Sequence, residues 1–260
     1  MNTVAALARR DLKVMRSYRF SMASDVVWGV LNLLVYFYIS KFVDTGDIGS
    51  APSYFSFVVA GIVMSLVIYA ASTGVAYRVR DEQLTGTLEI LCVQPLRTFE
   101  LALGVISFPL GFAVVRAAGY LVVAALALDL DAPDADWVGV LVMLATAGMA
   151  FAAIGIVAAG AAIVFKRAMS IAGVIVFGMT FISGALFPIS VLPQWLQSIG
   201  QVMPTWFAFE GLRSALFVGG EWYDDAGALA VFAAIGLPCS IWLLAVSLTK
   251  AKRDGTLGQY

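Results

Sequence analysis

The chain has 260 residues, of which 61% are hydrophobic and only 13% are charged. Soluble domains carry about 25% charged residues, so this composition excludes an ordinary soluble protein. The formal net charge of −1 argues against a nucleic-acid partner, and the absence of His removes the commonest general base and metal ligand, so we expect no catalytic residue and no metal site.

The first predicted element is an amphipathic helix in residues 1–20. Its apolar side comprises Val4, Leu7, Ala8, Leu12, Val14, Met15 and Tyr18, and most of its basic residues fall on the other side. Asp11 and Arg19 break this pattern. We predict a helix that lies on the inner membrane surface, where it anchors the topology by its charge or also contacts a partner.

Six apolar runs reach the length of about 20 residues that a membrane-spanning helix needs. They are continuous, unlike the alternating segments of a membrane barrel, so we predict an all-α polytopic membrane protein with a single transmembrane domain, residues 1–260. The six predicted spans cover residues 22–42, 54–77, 99–128, 137–165, 169–189 and 226–248.

The connector at residues 78–97 is unusually charged for a short loop. One helical face would carry Leu84, Leu88 and Leu91, and roughly the opposite face Glu82 and Glu89, with Asp81 nearby. Pro95 would end the helix. Acids facing an anionic leaflet cost free energy, so this pattern favours a segment that docks on a basic protein surface; the alternative is a solvated loop.

Polar residues inside apolar runs are expensive and indicate function. Asp25 and Glu100 lie near the ends of predicted spans and are interpreted as interfacial. Asn32 and Arg116 lie deeper, and we select them as candidates for a substrate pathway. Snorkelling or pairing with a carboxylate are the other roles that fit Arg116.

Residues 190–222 are semi-apolar and rich in Trp, Phe, Pro and Gly. Pro188, Pro193 and Pro204 cannot all lie within one straight helix. We therefore predict short helices, re-entrant or on the outer surface, between the fifth and sixth spans.

Charge asymmetry predicts the orientation. Of the 16 Lys and Arg, all but Lys41, Arg116 and Arg213 fall in the N-terminal segment, residues 78–97, residues 166–167 or the C-terminus. Because cytoplasmic segments carry the excess of Lys and Arg, we expect both termini in the cytoplasm and multi-pass insertion in the plasma membrane.

Two motifs resemble those of one family. "EQLTGTLEILCVQP" is similar to the E-x-x-x-G-T-x-E-x-L-x-x-x-P signature of ABC type 2 permeases, the exporters of drugs, lipids and glycans. "SGALFPISVLPQWLQ" is similar to that family's S-G-x-x-F-P-x-x-x-L-P-x-x-x-Q stretch. The resemblance extends over nearly the whole chain.

The resemblance implies specific partners and site residues. Two copies of a separate ABC ATPase would bind ATP and Mg²⁺, so this chain itself would hold no cofactor, and a second permease, identical or related, would complete the transporter within the membrane lipids. The coupling helix that docks on the ATPase would comprise Asp81, Glu82, Leu84, Gly86, Thr87, Leu88, Glu89, Leu91 and Pro95. The outer gate would comprise Ser183, Gly184, Phe187, Pro188, Leu192, Pro193 and Pro204.

We therefore predict the membrane-spanning subunit of a bacterial ATP-driven exporter, not itself an enzyme, that moves a drug-like metabolite, a lipid or a lipid-linked glycan. The alternative is a self-contained transporter or channel driven by ions through Asp25, Glu100 and Arg116. An adjacent reading frame for an ATPase with a phosphate-binding Walker A loop would separate the two.

Overall fold

The computed structural model describes residues 8–13, 19–43, 50–87, 98–164 and 168–254. These residues form helices and turns without a β-strand, which confirms the predicted all-α class. The long helices are α1 (Arg19–Ser40), α2 (Tyr54–Tyr69) with α3 (Val75–Leu84), α4 (Thr98–Ala127), α5 (Trp137–Val164) and α9 (Tyr223–Asp254). Shorter helices are α6 (Ala168–Ile182), α7 (Gln194–Val202) and α8 (Pro204–Phe217), and residues 8–13 are also helical.

Five helices are long and apolar enough to cross a membrane: Ala23–Ser40, Tyr54–Leu84, Phe99–Ala127, Trp137–Ile163 and Tyr223–Ala251. They match five of the six predicted spans. The remaining one, predicted over residues 169–189, is shorter, because α6 ends at Ile182. At 1.5 Å per residue α6 is about 22 Å long, less than the roughly 30 Å of a bilayer core. Six spans therefore remain a prediction.

A π-helical turn at Ala70–Gly74 joins α2 to α3 without interrupting the long helix. Here α5 approaches the backbone of the turn closely: a Cβ on Gly155 would lie 2.3 Å from the carbonyl oxygen of Ala71. Only glycine fits this contact. The small residues of α5 thus serve packing within the chain, with α5 lying between α9 and the α2–α3 helix.

Burial divides the long helices into central and peripheral ones. In the most apolar window of Tyr54–Leu84, 72% of the residues are buried, whereas the share in Ala23–Ser40 is 6%. Helix α1 therefore lies at the edge of the bundle, and most of its apolar side chains face outward. Such a surface needs lipid or another apolar chain to cover it.

We name the two ends of the bundle by some of their charged residues. We call the end that carries Arg10, Arg78 and Lys250 the basic end and the end that carries Asp136 and Trp222 the acidic end. At the acidic end, Trp222 Nε1 donates to Asp136 Oδ2 over 2.9 Å. The backbone N–H of Gly139, together with this indole N–H, lowers the pKa of Asp136 below its usual value.

Candidate functional site

Four charged side chains form a cluster at the basic end, which we call the basic-end cluster: Arg10, Asp11, Arg78 and Glu82. Arg10 Nη2 lies 2.5 Å from Glu82 Oε1 and 3.2 Å from Asp11 Oδ1. Arg78 Nη2 contacts Asp11 Oδ1, and Arg78 Nε lies 3.8 Å from Glu82 Oε1. The cluster thus ties the helical residues 8–13 to α3.

Both carboxylates of the basic-end cluster are buried, and both arginines are partly exposed. Burial alone lowers the pKa of Arg10, but Glu82 and Asp11 outweigh this effect and raise it. Asp11 broke the amphipathic pattern of residues 1–20 because it points inward, to Arg78, rather than to the membrane or to water. A local pattern cannot reveal a partner 67 residues away.

Glu82, which the helical spacing places on the face predicted to dock on a basic protein surface, is buried within the chain. The residue is only 7% exposed, and its carboxylate is engaged by Arg10 and by the hydroxyl of Thr87. The predicted separate helix over residues 78–97 also needs correction, because its first residues continue the long α2–α3 helix to Leu84. Glu82 therefore stabilises the end of this helix from within the chain.

Among the other predicted docking residues, Asp81, Leu84 and Gly86 are exposed, Thr87 is partly buried, and the rest lie outside the described residues. Leu84 is 58% exposed, Asp81 is also exposed, and Gly86 has a positive φ of 73° just after the helix ends. The structure does not describe four of the predicted docking residues: Leu88, Glu89, Leu91 and Pro95. Contact of this segment with an ATPase remains a prediction.

The predicted outer-gate residues begin with a sharp turn after α6. Gly184 has a φ of 80°, which an L-residue rarely adopts, and it ends the helix. The hydroxyls of Ser183 and Thr205 are hydrogen-bonded, so α8 is attached to this turn.

Buried Arg213 of α8 holds the same turn, although the sequence pattern gave it no role. It is 3% exposed, and its Nη2 donates to the carbonyl oxygens of Gly184 at 2.7 Å and Ala185 at 3.3 Å. Its guanidinium carbon lies 3.5 Å from the ring centroid of Phe57. The sequence feature that could have identified Arg213 is a lone Arg within an apolar segment.

Each proline of the outer segment marks a boundary between short elements. Pro188 precedes a 3₁₀ turn at Ile189–Val191, Pro193 caps α7, and Pro204 begins α8. Gln197 Nε2 donates to the carbonyl oxygen of Leu192 over 2.7 Å and closes the bend before α7. The predicted break into short helices is confirmed, whereas their role as a gate remains a prediction.

A cleft of about 670 Å³ opens between α1, α2, α4, α6 and the turn that contains Phe187. Its walls are mostly apolar and aromatic, with a few polar groups. The aromatic lining includes Trp28, Tyr36, Tyr69, Tyr120, Phe177 and Phe181. Such a volume matches the range of about 300–1,000 Å³ that small-molecule sites occupy.

The two residues selected as pathway candidates, Asn32 and Arg116, both line this cleft, as does Asp25. Asn32 donates to the carbonyl oxygen of Trp28, and Tyr120 to that of Asp25. Glu100 does not line the cleft, so the acids and the arginine proposed for an ion pathway are only partly brought together. A mixed aromatic and polar cleft can hold an amphipathic molecule.

The family comparison agrees with this architecture. Residues 2–217 match the family model described as ABC-2 type transporter. The match includes both motifs, the basic-end cluster and the helices that line the cleft. No curated protein matches the chain.

Proposed function

The chain belongs to the ABC-2 type transporter family, and from this premise we propose that it is the membrane-spanning subunit of an ATP-driven exporter for amphipathic substrates. As a multi-pass membrane subunit of such a transporter it is not itself catalytic. In the proposal, a separate ABC ATPase hydrolyses ATP with Mg²⁺ and changes the shape of the membrane subunit. The substrate is a drug-like metabolite, a lipid or a lipid-linked glycan.

The cleft carries this proposal. An amphipathic substrate needs apolar contacts for its tail and polar contacts for its head, and the cleft supplies Phe177 and Trp28 beside Asn32 and Arg116. Because α1 is peripheral, we infer that a molecule dissolved in the membrane reaches the cleft from the side of α1. A second permease copy that covers α1 and α6 would close a pathway between the two subunits.

In the proposed mechanism, the ATPase binds at the basic end. Leu84 lies at the end of the long α2–α3 helix, so a push there acts on the same helix that lines the cleft through Leu66 and Tyr69. The basic-end cluster makes residues 8–13 move with α3. Both termini are cytoplasmic in a bacterial plasma membrane, in accord with the distribution of Lys and Arg.

Purification from the native membrane tests the proposal. A tagged chain should copurify with a subunit that has a Walker A loop, and the complex should hydrolyse ATP in the presence of Mg²⁺. Leu84→Ser should lower recovery of the ATPase several-fold, because it removes an exposed apolar contact at the basic end. The control, Leu126→Ser, changes an exposed leucine on α4 far from the basic end and should leave recovery unchanged.

A chain that purifies without an ATPase, and that transports in proteoliposomes when only an ion gradient is applied, would favour the ion-driven alternative.

A further inference from the structure

Among the described residues that line the cleft, Arg116 is the one cationic side chain, and its described surroundings leave that charge unsatisfied. Arg116 lies well inside α4 and is half-buried. Its Nε is buried without an acceptor, and no residue that the structure describes forms an ion pair or a hydrogen bond with its guanidinium. The ring of Phe112, 5.8 Å away, offers a distant cation–π contact.

Such a charge is costly within a membrane-spanning helix unless it faces water or a ligand. Asp25 also lines the cleft, yet it is not paired with Arg116 and lies exposed near the start of α1. Because Arg116 is the more buried of the two charges, its field in the cleft is less screened by solvent. The cleft is therefore better suited to a negative group than to a positive one.

The residues beside Arg116 offer polar groups for the head group of a ligand and apolar surface for its tail. Asn32 donates one amide N–H to a carbonyl oxygen of its own helix, which leaves its second N–H and its amide oxygen available to a ligand. Trp28, Phe177 and Phe181 offer flat apolar surface around these polar groups. The binding volume of about 670 Å³ holds one chain-like molecule.

We propose that this cleft binds an amphipath with an anionic head group, a phosphate or a carboxylate, which Arg116 holds while the aromatic side chains contact its apolar tail. The inference rests on the proposed transport function and specifies its substrate class. A bidentate guanidinium contact accounts for a preference for phosphate or carboxylate, since both present two oxygens in one plane with the fork of N–H groups.

Binding to the full chain in phosphatidylcholine nanodiscs tests the proposal. The probes are three dodecyl chains with the same fluorescent label and different heads: phosphate, hydroxyl and trimethylammonium. Arg116→Gln should weaken binding of the phosphate probe by roughly tenfold or more and leave the hydroxyl probe unchanged, since a hydrogen bond to a charged group is lost. Arg116→Lys should lose less, and the control Lys250→Gln should bind all three probes as wild type does.

Unchanged affinity of the hydroxyl probe shows that Arg116→Gln remains folded. Equal affinity of wild type and Arg116→Gln for the phosphate probe would overturn the proposal, as would tighter binding of the trimethylammonium probe. Displacement of the phosphate probe when phosphatidylglycerol replaces a third of the phosphatidylcholine would support the proposal, because phosphatidylglycerol is itself an amphipath with a phosphate head group. It would also identify a membrane lipid as one occupant of the cleft.

The assay contains no ATPase. If an ATPase copurifies but the phosphate probe does not depend on Arg116, only the substrate class fails. If the probe depends on Arg116 but no ATPase is found, the ATP-driven function fails and the anionic site stands.

Discussion

Two arginines lie in apolar surroundings, Arg213 behind the outer turn and Arg116 in the cleft. They differ in burial and in the hydrogen-bond acceptors that the chain provides. Arg213 is buried and donates to two carbonyl oxygens, with Phe57 stacked on its guanidinium and Glu210 at 3.9 Å. Arg116 is half-buried and has no such acceptor among the described residues. A charge whose partners are supplied by the chain stabilises structure, whereas a charge left without partners is available to a ligand.

The largest expected effect on stability is that of replacing Arg213, the arginine whose partners the chain supplies. Arg213→Met should lower the free energy of unfolding by roughly 3 kcal/mol, because the carbonyl oxygens of Gly184 and Ala185 lose a charged donor in a buried site. Unfolding of the purified chain in increasing SDS, followed by Trp fluorescence, measures this change. Arg253→Met, at an exposed position, is the control. Equal stability of the two variants would mean that the outer turn does not depend on Arg213.

An intermediate case lies at the basic end, where Arg78 is paired but partly exposed. Arg78→Gln should cost about 1–2 kcal/mol, less than Arg213→Met, since solvent screens the pair. A double-mutant cycle with Asp11→Asn should give a coupling energy of about 1 kcal/mol. Additive effects in the same unfolding assay would show that residues 8–13 do not act on α3 through this pair.

A smaller, pH-dependent effect is expected at the acidic end. The pKa of Asp136 is lowered in the folded chain, so its carboxylate contributes stability above its unfolded value near 3.8 and loses that contribution as the pH falls further. The stability difference between wild type and Asp136→Asn should therefore stay constant above about pH 5 and shrink below pH 3.8. Unfolding curves across this range measure it. A difference that is independent of pH would contradict the assigned hydrogen bonds.

The smallest effect on stability is expected for Arg116. Because its guanidinium has no described acceptor to lose, Arg116→Gln should change the free energy of unfolding by no more than about 0.5 kcal/mol. The same SDS titration measures this value beside that of Arg213→Met. A loss as large as that of Arg213→Met would indicate a structural role and remove the contrast between the two arginines.

The features that the sequence predicted best are those determined by residues close together in the chain. Long apolar runs located five membrane-length helices, and Pro188, Pro193 and Pro204 located the breaks of the outer segment, because proline acts on its own turn of backbone. Asn32 and Arg116 were selected because polar groups in apolar runs are costly wherever they face.

What the sequence could not predict depends on residues far apart in the chain. The periodicity of residues 78–97 placed Glu82 on the face predicted to dock on a basic partner, yet Arg10, 72 residues away, pairs with its carboxylate within the chain. Arg213 likewise finds its acceptors in a turn 28 and 29 residues earlier. The length of α6 was overestimated because residues 183–189 are apolar enough for a span but turn at Gly184.

The π-helical turn at Ala70–Gly74 holds one residue more than an α-helical turn would. An α-helical residue advances the helix by about 100°, and the π turn accommodates its extra residue without changing the phase of the helix on either side. Deleting one residue at this turn would therefore restore a uniform α-helix and leave Arg78 and Glu82 on the same face relative to Tyr69. The same deletion in α3, between the turn and Arg78, would instead rotate Arg78 and Glu82 by about 100° away from residues 8–13. A single-codon deletion would thus disconnect the cleft from the basic-end cluster only where it falls outside the π turn.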